Sequence, residues 1–246
     1  MMQKLDIVTH AQPKSPISEA YRTLRTNIQF SSLDKPVRTI MVTSSGPGEG
    51  KTTTSVNLAT ALAQTEEKVV IVDADLRKPR IHKIFKAINS SGVTNILVND
   101  LDYKKDVIVT EVDNLDLITA GTTPPNPSEI LSSQKMKNFI RQLKEDYDYV
   151  IIDTPPSAIV TDAAILSQNA DGVLLVCASG QVAIDGAQKA KELLTNVNAN
   201  ILGVVLNKIP VDDGSYYAQY YYSDYYEDSN DYKQKASARA KRRLEK

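Results

Sequence analysis

The residues with the most chemical promise lie in one short run, Ser44-Ser45-Gly46-Pro47-Gly48-Glu49-Gly50-Lys51-Thr52, followed by Thr53. The spacing is that of a phosphate-binding loop, G-x-x-x-x-G-K-[ST], with Ser45 at the first glycine position and Gly50-Lys51-Thr52 intact. In such a loop the glycines let backbone N–H groups curl around phosphate oxygens. The lysine ammonium reaches the β- and γ-phosphates, and the threonine hydroxyl is offered to Mg2+. A helix opening near Lys51 aims its positive end at the same anion. The plain alternative is a glycine-rich turn between a strand and a helix. A dinucleotide fingerprint, G-x-G-x-x-G, does not fit residues 46–51, and a lysine there suits a nucleoside triphosphate better.

Two aliphatic runs end in carboxylates: Val69-Val70-Ile71-Val72-Asp73-Ala74-Asp75-Leu76-Arg77 and Val150-Ile151-Ile152-Asp153-Thr154-Pro155-Pro156. A carboxylate leaving a buried strand loses hydration and needs a partner. A Mg2+ beside ATP phosphates is such a partner. For each aspartate taken alone, an N-cap on the following helix serves as well. Asp73, Asp75 and Asp153 together, in a chain that also has a phosphate loop, favour the metal. Behind them comes a basic run, Arg77, Lys78 and Arg80, then His82, Lys83 and Lys86. It either guides an acidic segment to the site or is an exposed helix face.

These residues need elements to hold them. Strands are predicted over residues 38–43, 68–72, 115–119, 149–153, 172–177 and 201–206, several of them continuous aliphatic runs that suit strands buried on both faces of a parallel sheet. Helices are predicted over 52–64, 128–147 and 181–196, with another over about 17–31 for which Ser18 is the expected N-cap. The alternation predicts an α/β fold, doubly wound with a mostly parallel sheet, in which ligands bind at the carboxyl ends of the strands.

Composition sets outer limits. The chain has 246 residues, 41% hydrophobic and 24% charged, which suits one globular domain with a sizeable core. A net charge of −1 gives no bias toward nucleic acid. Cys177, the lone cysteine, lies in an apolar run and reads as a small core residue. His10 has no acidic or metal-like companions. No apolar stretch approaches the ~20 residues that span a bilayer, and the first residues lack the apolar segment of a signal peptide. The chain is therefore expected in the cytoplasm.

After Pro210 the character changes. From Asp212 to Gln234 there is no Val, Ile, Leu, Met or Phe, so little surface is available to offset chain entropy, and disorder is expected over 212–246 beside a folded domain over 1–211. Eight of the twelve tyrosines fall there: Tyr216, Tyr217, Tyr220, Tyr221, Tyr222, Tyr225, Tyr226 and Tyr232. Alternatives for such a segment are a sticky low-complexity tail or an adhesive for another protein. Residues 239–243 add a basic end that either touches anionic lipid or is solvated.

The phosphate loop, the D-x-D-x-R run at 73–77 and the I-I-D-T-P-P run at 151–156 together resemble the Walker A, A′ and B signatures of the bacterial tyrosine kinases, P-loop NTPases with deviant Walker motifs. Glu19-Ala20-Tyr21-Arg22-Thr23-Leu24-Arg25 resembles that family's E-x-x-R-x-x-R ring-assembly motif, and the tyrosine cluster its phosphoacceptor tail. The resemblance covers residues 15–232. It is nearest to the stand-alone form found with capsule and exopolysaccharide operons, whose transmembrane activator, of the polysaccharide co-polymerase type, is a separate polypeptide.

The resemblance implies an autokinase that uses ATP and Mg2+ to phosphorylate the tail of a neighbouring copy. Lys51 would hold the phosphates, Thr52, Asp75 and Asp153 the metal, and Asp73 would act as general base. Arg77 would either bind a phosphate or pair with an acid, and Asn207 would touch adenine. Glu19, Arg22 and Arg25 would serve a ring, suggested to be an octamer. On spacing alone they are a solvated helix face with an internal ion pair. The resemblance also implies a place at the inner face of the plasma membrane through the activator, and a cognate phosphatase. Two other readings stand beside it. One is a partition- or division-site ATPase scaffold, whose deviant loop carries an extra lysine where this chain has Gly46. The other is an adaptor whose tail recruits partners.

Overall fold

The computed structural model describes residues 7–31 and 36–210, and the tyrosine-rich and basic tail expected over 212–246 lies outside the described residues. The strands are β1 (Thr39–Ser44), β2 (Val69–Asp73), β3 (Ile108–Val109), β4 (Leu115–Ile118), β5 (Tyr149–Asp153), β6 (Gly172–Ala178) and β7 (Ile201–Asn207). They form one sheet in the order β3-β4-β2-β5-β1-β6-β7, parallel throughout except for β3, which runs antiparallel to β4 at one edge. The helices are α1 (Val8–Ala11), α2 (Pro16–Ser31), α3 (Lys51–Ala63), α4 (Ile81–Ile84), α5 (Val93–Asn99), α6 (Pro127–Ser132), α7 (Gln134–Asp146), α8 (Asp162–Ser167) and α9 (Ile184–Asn196).

The aliphatic runs form strands because both sheet faces are covered. Successive side chains of a strand point to opposite faces. Met41, Val70, Val72, Val150 and Ile152 accordingly pack in one core with Met136, Phe139 and Leu143 of α7 and Leu166 of α8. Ile40, Val42, Ile71 and Ile151 pack in the other, with Ile28 of α2 and Val56, Leu58 and Leu62 of α3. In α3 only Lys51 and Thr53 escape burial, so it is a central helix rather than an amphipathic one. Truncating Leu58 or Leu62 to Ala would cost about 2–5 kcal/mol. Cys177 is a buried free thiol, as its apolar run predicts. No helix of the described residues is long and apolar enough to cross a membrane.

Strand register brings the acidic residues together. In the β2–β5 ladder Asp73 is paired with Asp153, and in the β1–β5 ladder Val42 is paired with Asp153. Both carboxylates thus lie at the strand ends where the chain leaves β1 for the glycine-rich loop.

Three local expectations are corrected. The helix expected over 128–147 is two helices. Ser133 is extended (φ −67°, ψ 155°) and accepts a bond from the Met136 N–H at 3.2 Å, which starts α7 afresh. Ser18 is not the cap of α2. Ser15 accepts the Ser18 N–H at 3.2 Å and Pro16 takes the first helical position, while the buried Ser18 hydroxyl bonds the carbonyls of Val8 and Gln12. The helix expected from residue 181 begins at Ile184. The antiparallel β3, two residues within the run Val107-Ile108-Val109, is not among the expected strands.

Candidate active site

The loop from Ser45 to Gly50 joins β1 to α3 with Pro47 and Gly48 exposed at its crest and Ser45 and Glu49 buried. Gly48 (φ 80°) and Gly50 (φ 98°) adopt left-handed conformations that favour glycine. Gly50 is also the N-cap of α3, and no side chain closes that helix end. The first N–H groups of α3 are therefore free to meet an anion, aided by the helix dipole.

Glu49 folds back into the loop. Its Oε1 accepts the Ser45 hydroxyl at 2.6 Å and also the Gly46 N–H. Ser45 thus has a use that a glycine at the first consensus position would lack. Asn207 and Lys208, at the end of β7, hold the loop's carbonyls. Asn207 Nδ2 donates to the Glu49 carbonyl at 2.9 Å, and Lys208 Nζ donates to the Gly48 carbonyl at 2.6 Å and to Gln181 Oε1 at 3.0 Å. The Asn207 carboxamide oxygen accepts the Lys208 N–H at 2.9 Å. Both ends of the group expected to touch adenine are thus engaged within the chain.

The lysine and the acids converge. Lys51 Nζ lies 2.9 Å from Asp75 Oδ2, 3.6 Å from Asp153 Oδ2 and 3.3 Å from Thr52 Oγ1. The Thr52 hydroxyl donates to Asp153 Oδ2 at 2.7 Å, and Ser55, one turn further along α3, donates to Asp153 Oδ1 at 2.9 Å. Asp73 is fixed by the chain that follows it. Its Oδ2 accepts the N–H groups of Arg80 (3.1 Å) and Ile81 (3.0 Å), and its Oδ1 that of Asp75 at 3.3 Å. Asp75 Oδ1 accepts the Lys78 N–H at 3.0 Å. Asp73 and Asp153 are fully buried and Asp75 is 4% exposed.

Asp73 and Asp153 lie buried near the one ammonium of Lys51, and their protonation reflects it. Burial raises Asp73 to about 7, reinforced by the neighbouring Asp153 charge and opposed by the Ile81 N–H and Lys51. Burial also raises Asp153, against Lys51, Thr52 and Ser55. Burial works to lower Lys51, yet the charges of Asp153 and Asp75 outweigh it and hold the ammonium above its ordinary value.

Among the described residues no three His, Cys, Asp or Glu side chains form a ready metal cage. Magnesium held with a nucleotide does not need one, since one or two carboxylates, substrate phosphates and water complete its shell. The hydroxyl of Thr52 against Asp153, with Asp75 across Lys51, is an all-oxygen donor set suited to that hard cation.

Arg77 stands apart from this cluster. Its guanidinium grips the fully buried Asp162 through Nε at 2.8 Å and NH2 at 3.0 Å, and Ser128 donates to the same carboxylate at 2.8 Å. Of the two roles left open, pairing with an acid is the one adopted here. On α2, Glu19 and Arg22 form an ion pair at 2.8 Å, while Arg25 donates to the Ala61 carbonyl of α3 at 2.6 Å. Arg25 therefore fastens α2 to its own domain. Sequence reasoning missed Ser55, Asp162 and Lys208. Only Ser55 carried a signal, being three residues beyond Thr52 on the same helix face.

Residues 37–205 match the AAA domain family. The chain is 43% identical over 215 residues to the tyrosine-protein kinase YwqD of Bacillus subtilis (strain 168), covering 87% of this chain and 91% of the relative. It is 40% identical over 218 residues to the putative tyrosine-protein kinase CapB of Staphylococcus aureus, covering 89% and 96%. Among solved structures, the chimerical protein CapA2B2 superposes with a TM-score of 0.81 at 44% identity, over 83% of this chain and 90% of that one.

Proposed function

The chain belongs to the family of bacterial tyrosine-protein kinases, and on that premise we propose that it uses MgATP to phosphorylate the tyrosines of its own C-terminal cluster, in trans between copies. The observation that carries the reading is the convergence of Lys51 and Thr52, from the glycine-rich loop, on Asp75 and Asp153, from two other strand ends.

In the proposed reaction the triphosphate lies along the loop and the N-terminus of α3, and Lys51 leaves the carboxylates for the β- and γ-oxygens. Thr52, Asp75 and Asp153 would hold Mg2+, whose charge would offset that of the phosphates. Asn207 and Lys208 keep the Gly48 and Glu49 carbonyls turned to β7, which leaves the loop's N–H groups after Gly46 to the phosphates, the Gly46 N–H being held by Glu49. A tyrosine phenol attacks the γ-phosphorus as the bond to the β–γ bridging oxygen breaks, so ADP leaves. The phenolic proton passes to Asp73. A carboxylate need not deprotonate the phenol in the ground state: Asp73 would orient the hydroxyl and accept its proton late, which a loose transition state tolerates.

The acceptors are Tyr216, Tyr217, Tyr220, Tyr221, Tyr222, Tyr225, Tyr226 and Tyr232. Copies assemble in a ring through α2, with Arg25 anchoring that helix on α3 while Glu19 and Arg22 face a neighbour. Each phosphotyrosine adds roughly −1.5 to −2 charges, so full modification adds about −12 to −16 and loosens the ring by repulsion. A transmembrane activator and a phosphatase complete the cycle in capsular or exopolysaccharide synthesis. The deciding experiment is intact mass after incubation with MgATP and the activator's cytoplasmic segment. Additions of about 80 Da per site on residues 216–232, absent in Lys51→Met, support the kinase assignment. ATP hydrolysis with no gain of mass would move it to the scaffold reading.

A further inference from the structure

We propose that the exposed basic surface following Asp75, formed by Lys78, Arg80, Lys83 and Lys86, is the acceptor subsite and selects tyrosines flanked by acidic residues. Its occupant is the 212–232 segment of a second copy. The inference rests on the phosphotransfer reading above and adds the specificity of the same site.

The main chain joins this surface to the chemistry. The Lys78 N–H is bonded to Asp75, and the N–H groups of Arg80 and Ile81 are bonded to Asp73, the proposed base. The main chain that carries Lys78 and Arg80 is thus bonded directly to the two carboxylates, which sets the basic run at the edge of the site. Arg77, committed to Asp162, leaves those two as the nearest free cations of the run. Lys78, Arg80, Lys83 and Lys86 are all exposed, and none of them takes part in an ion pair among the described residues. From Leu76 to Asn99 the sequence contains no Asp or Glu, so the run itself supplies no acid to pair with them.

The tail has the opposite character. From Asp212 to Tyr232 it carries six acidic residues and no Lys or Arg, interleaved with the tyrosines. A basic run without acids of its own thus meets an acidic segment without bases, and their match acts mainly on encounter rate and KM. Exposed pairs are individually weak and screened by salt, so the selection comes from the array and fades at high ionic strength. A phosphotyrosine already in the segment offers more charge to Lys and Arg than the phenol it replaced, so modification promotes further modification.

The test uses the full chain and three peptides: residues 212–232, the same peptide with every Asp and Glu changed to Asn and Gln, and one with them changed to Lys. Binding is read by fluorescence anisotropy, and phosphate transfer by mass spectrometry, each at low and high salt. The acidic peptide should bind and react about tenfold better than the neutral one at 50 mM salt, and nearly equally at 0.5 M. Lys83→Glu with Lys86→Glu should shift the preference toward the lysine peptide, and Lys78→Glu with Arg80→Glu should do so independently. Equal binding of acidic and neutral peptides, or a preference that survives both charge reversals, overturns the subsite. Selective binding without any transfer would instead leave the subsite standing and remove the kinase chemistry proposed for the tail.

Discussion

A Cβ added to Gly50 would stand 2.0 Å from the carboxamide nitrogen of Asn207, the same nitrogen that donates to the Glu49 carbonyl at 2.9 Å. Gly50 is thus constrained twice, by its left-handed φ of 98° and by the end of β7. Gly50→Ala is expected to destabilise the domain by about 1–3 kcal/mol and to weaken nucleotide binding. Asn207→Ala removes the collision and leaves the φ strain. In chemical denaturation the double variant should therefore lose less than the two singles summed. Strict additivity would mean that the loop and Asn207 do not press on each other.

That contact shows where the sequence was legible and where it was not. The glycines, Lys51 and Thr52 declare a phosphate loop by local spacing, and the central strands declare themselves because burial on both faces demands unbroken aliphatic runs such as 69–72 and 150–152. Lys208 on Gly48, Arg77 on Asp162 and Arg25 on Ala61 join residues that only the folded sheet and helices bring together. Glu49 lies inside the recognised loop, but its inward turn onto Ser45 follows from backbone conformation, which a motif does not encode. Ser133 had the chemistry of a cap, yet the apolar pattern continues across it and hid the break.

The buried acids should make nucleotide-free protein less stable as pH rises. Asp73 has a folded value of about 7 against an ordinary 3.8, so the folded state holds a proton that the unfolded state has released. Its stabilising contribution is full below about 4 and is lost as pH rises through about 7, and Asp153 is shifted in the same direction. Asp73→Asn removes the ionisation and keeps an acceptor for the Arg80 and Ile81 N–H groups. Relative to the parent, this variant should gain on the order of 1–3 kcal/mol between pH 5 and pH 8 in metal-free urea titrations. Its phosphotransfer should fall at the same time. A stability difference that stays constant across that range would show that Asp73 ionises like a free carboxylate.

Ser133→Ala should cost about 1 kcal/mol, because its hydroxyl satisfies the Met136 N–H at the start of α7. Ser133→Asp keeps an acceptor there and adds a favourable charge at the helix N-terminus, so it should retain parental stability. Urea midpoints of the two variants check this. Equal losses in both would show that the residue acts through packing rather than as a cap.

Arg77 and Asp162 offer a way to separate structure from catalysis. Asp162 is fully buried and Arg77 is 37% exposed, so solvent screens part of their attraction and removing Arg77 should cost about 1–2 kcal/mol. If Arg77 serves the site by holding α8 against the loop after β2, then Arg77→Gln and Asp162→Asn should reduce phosphotransfer to a similar degree, and the double variant should be little worse than either. If the guanidinium instead leaves Asp162 for a phosphate during the reaction, Arg77→Gln should lower kcat well beyond Asp162→Asn, since only the first loses a charge needed in the transition state. The pairing at 2.8 and 3.0 Å, reinforced by Ser128 on the same carboxylate, favours the first outcome. A double-variant cycle on kcat with saturating MgATP, run beside the matching stability cycle, decides between them.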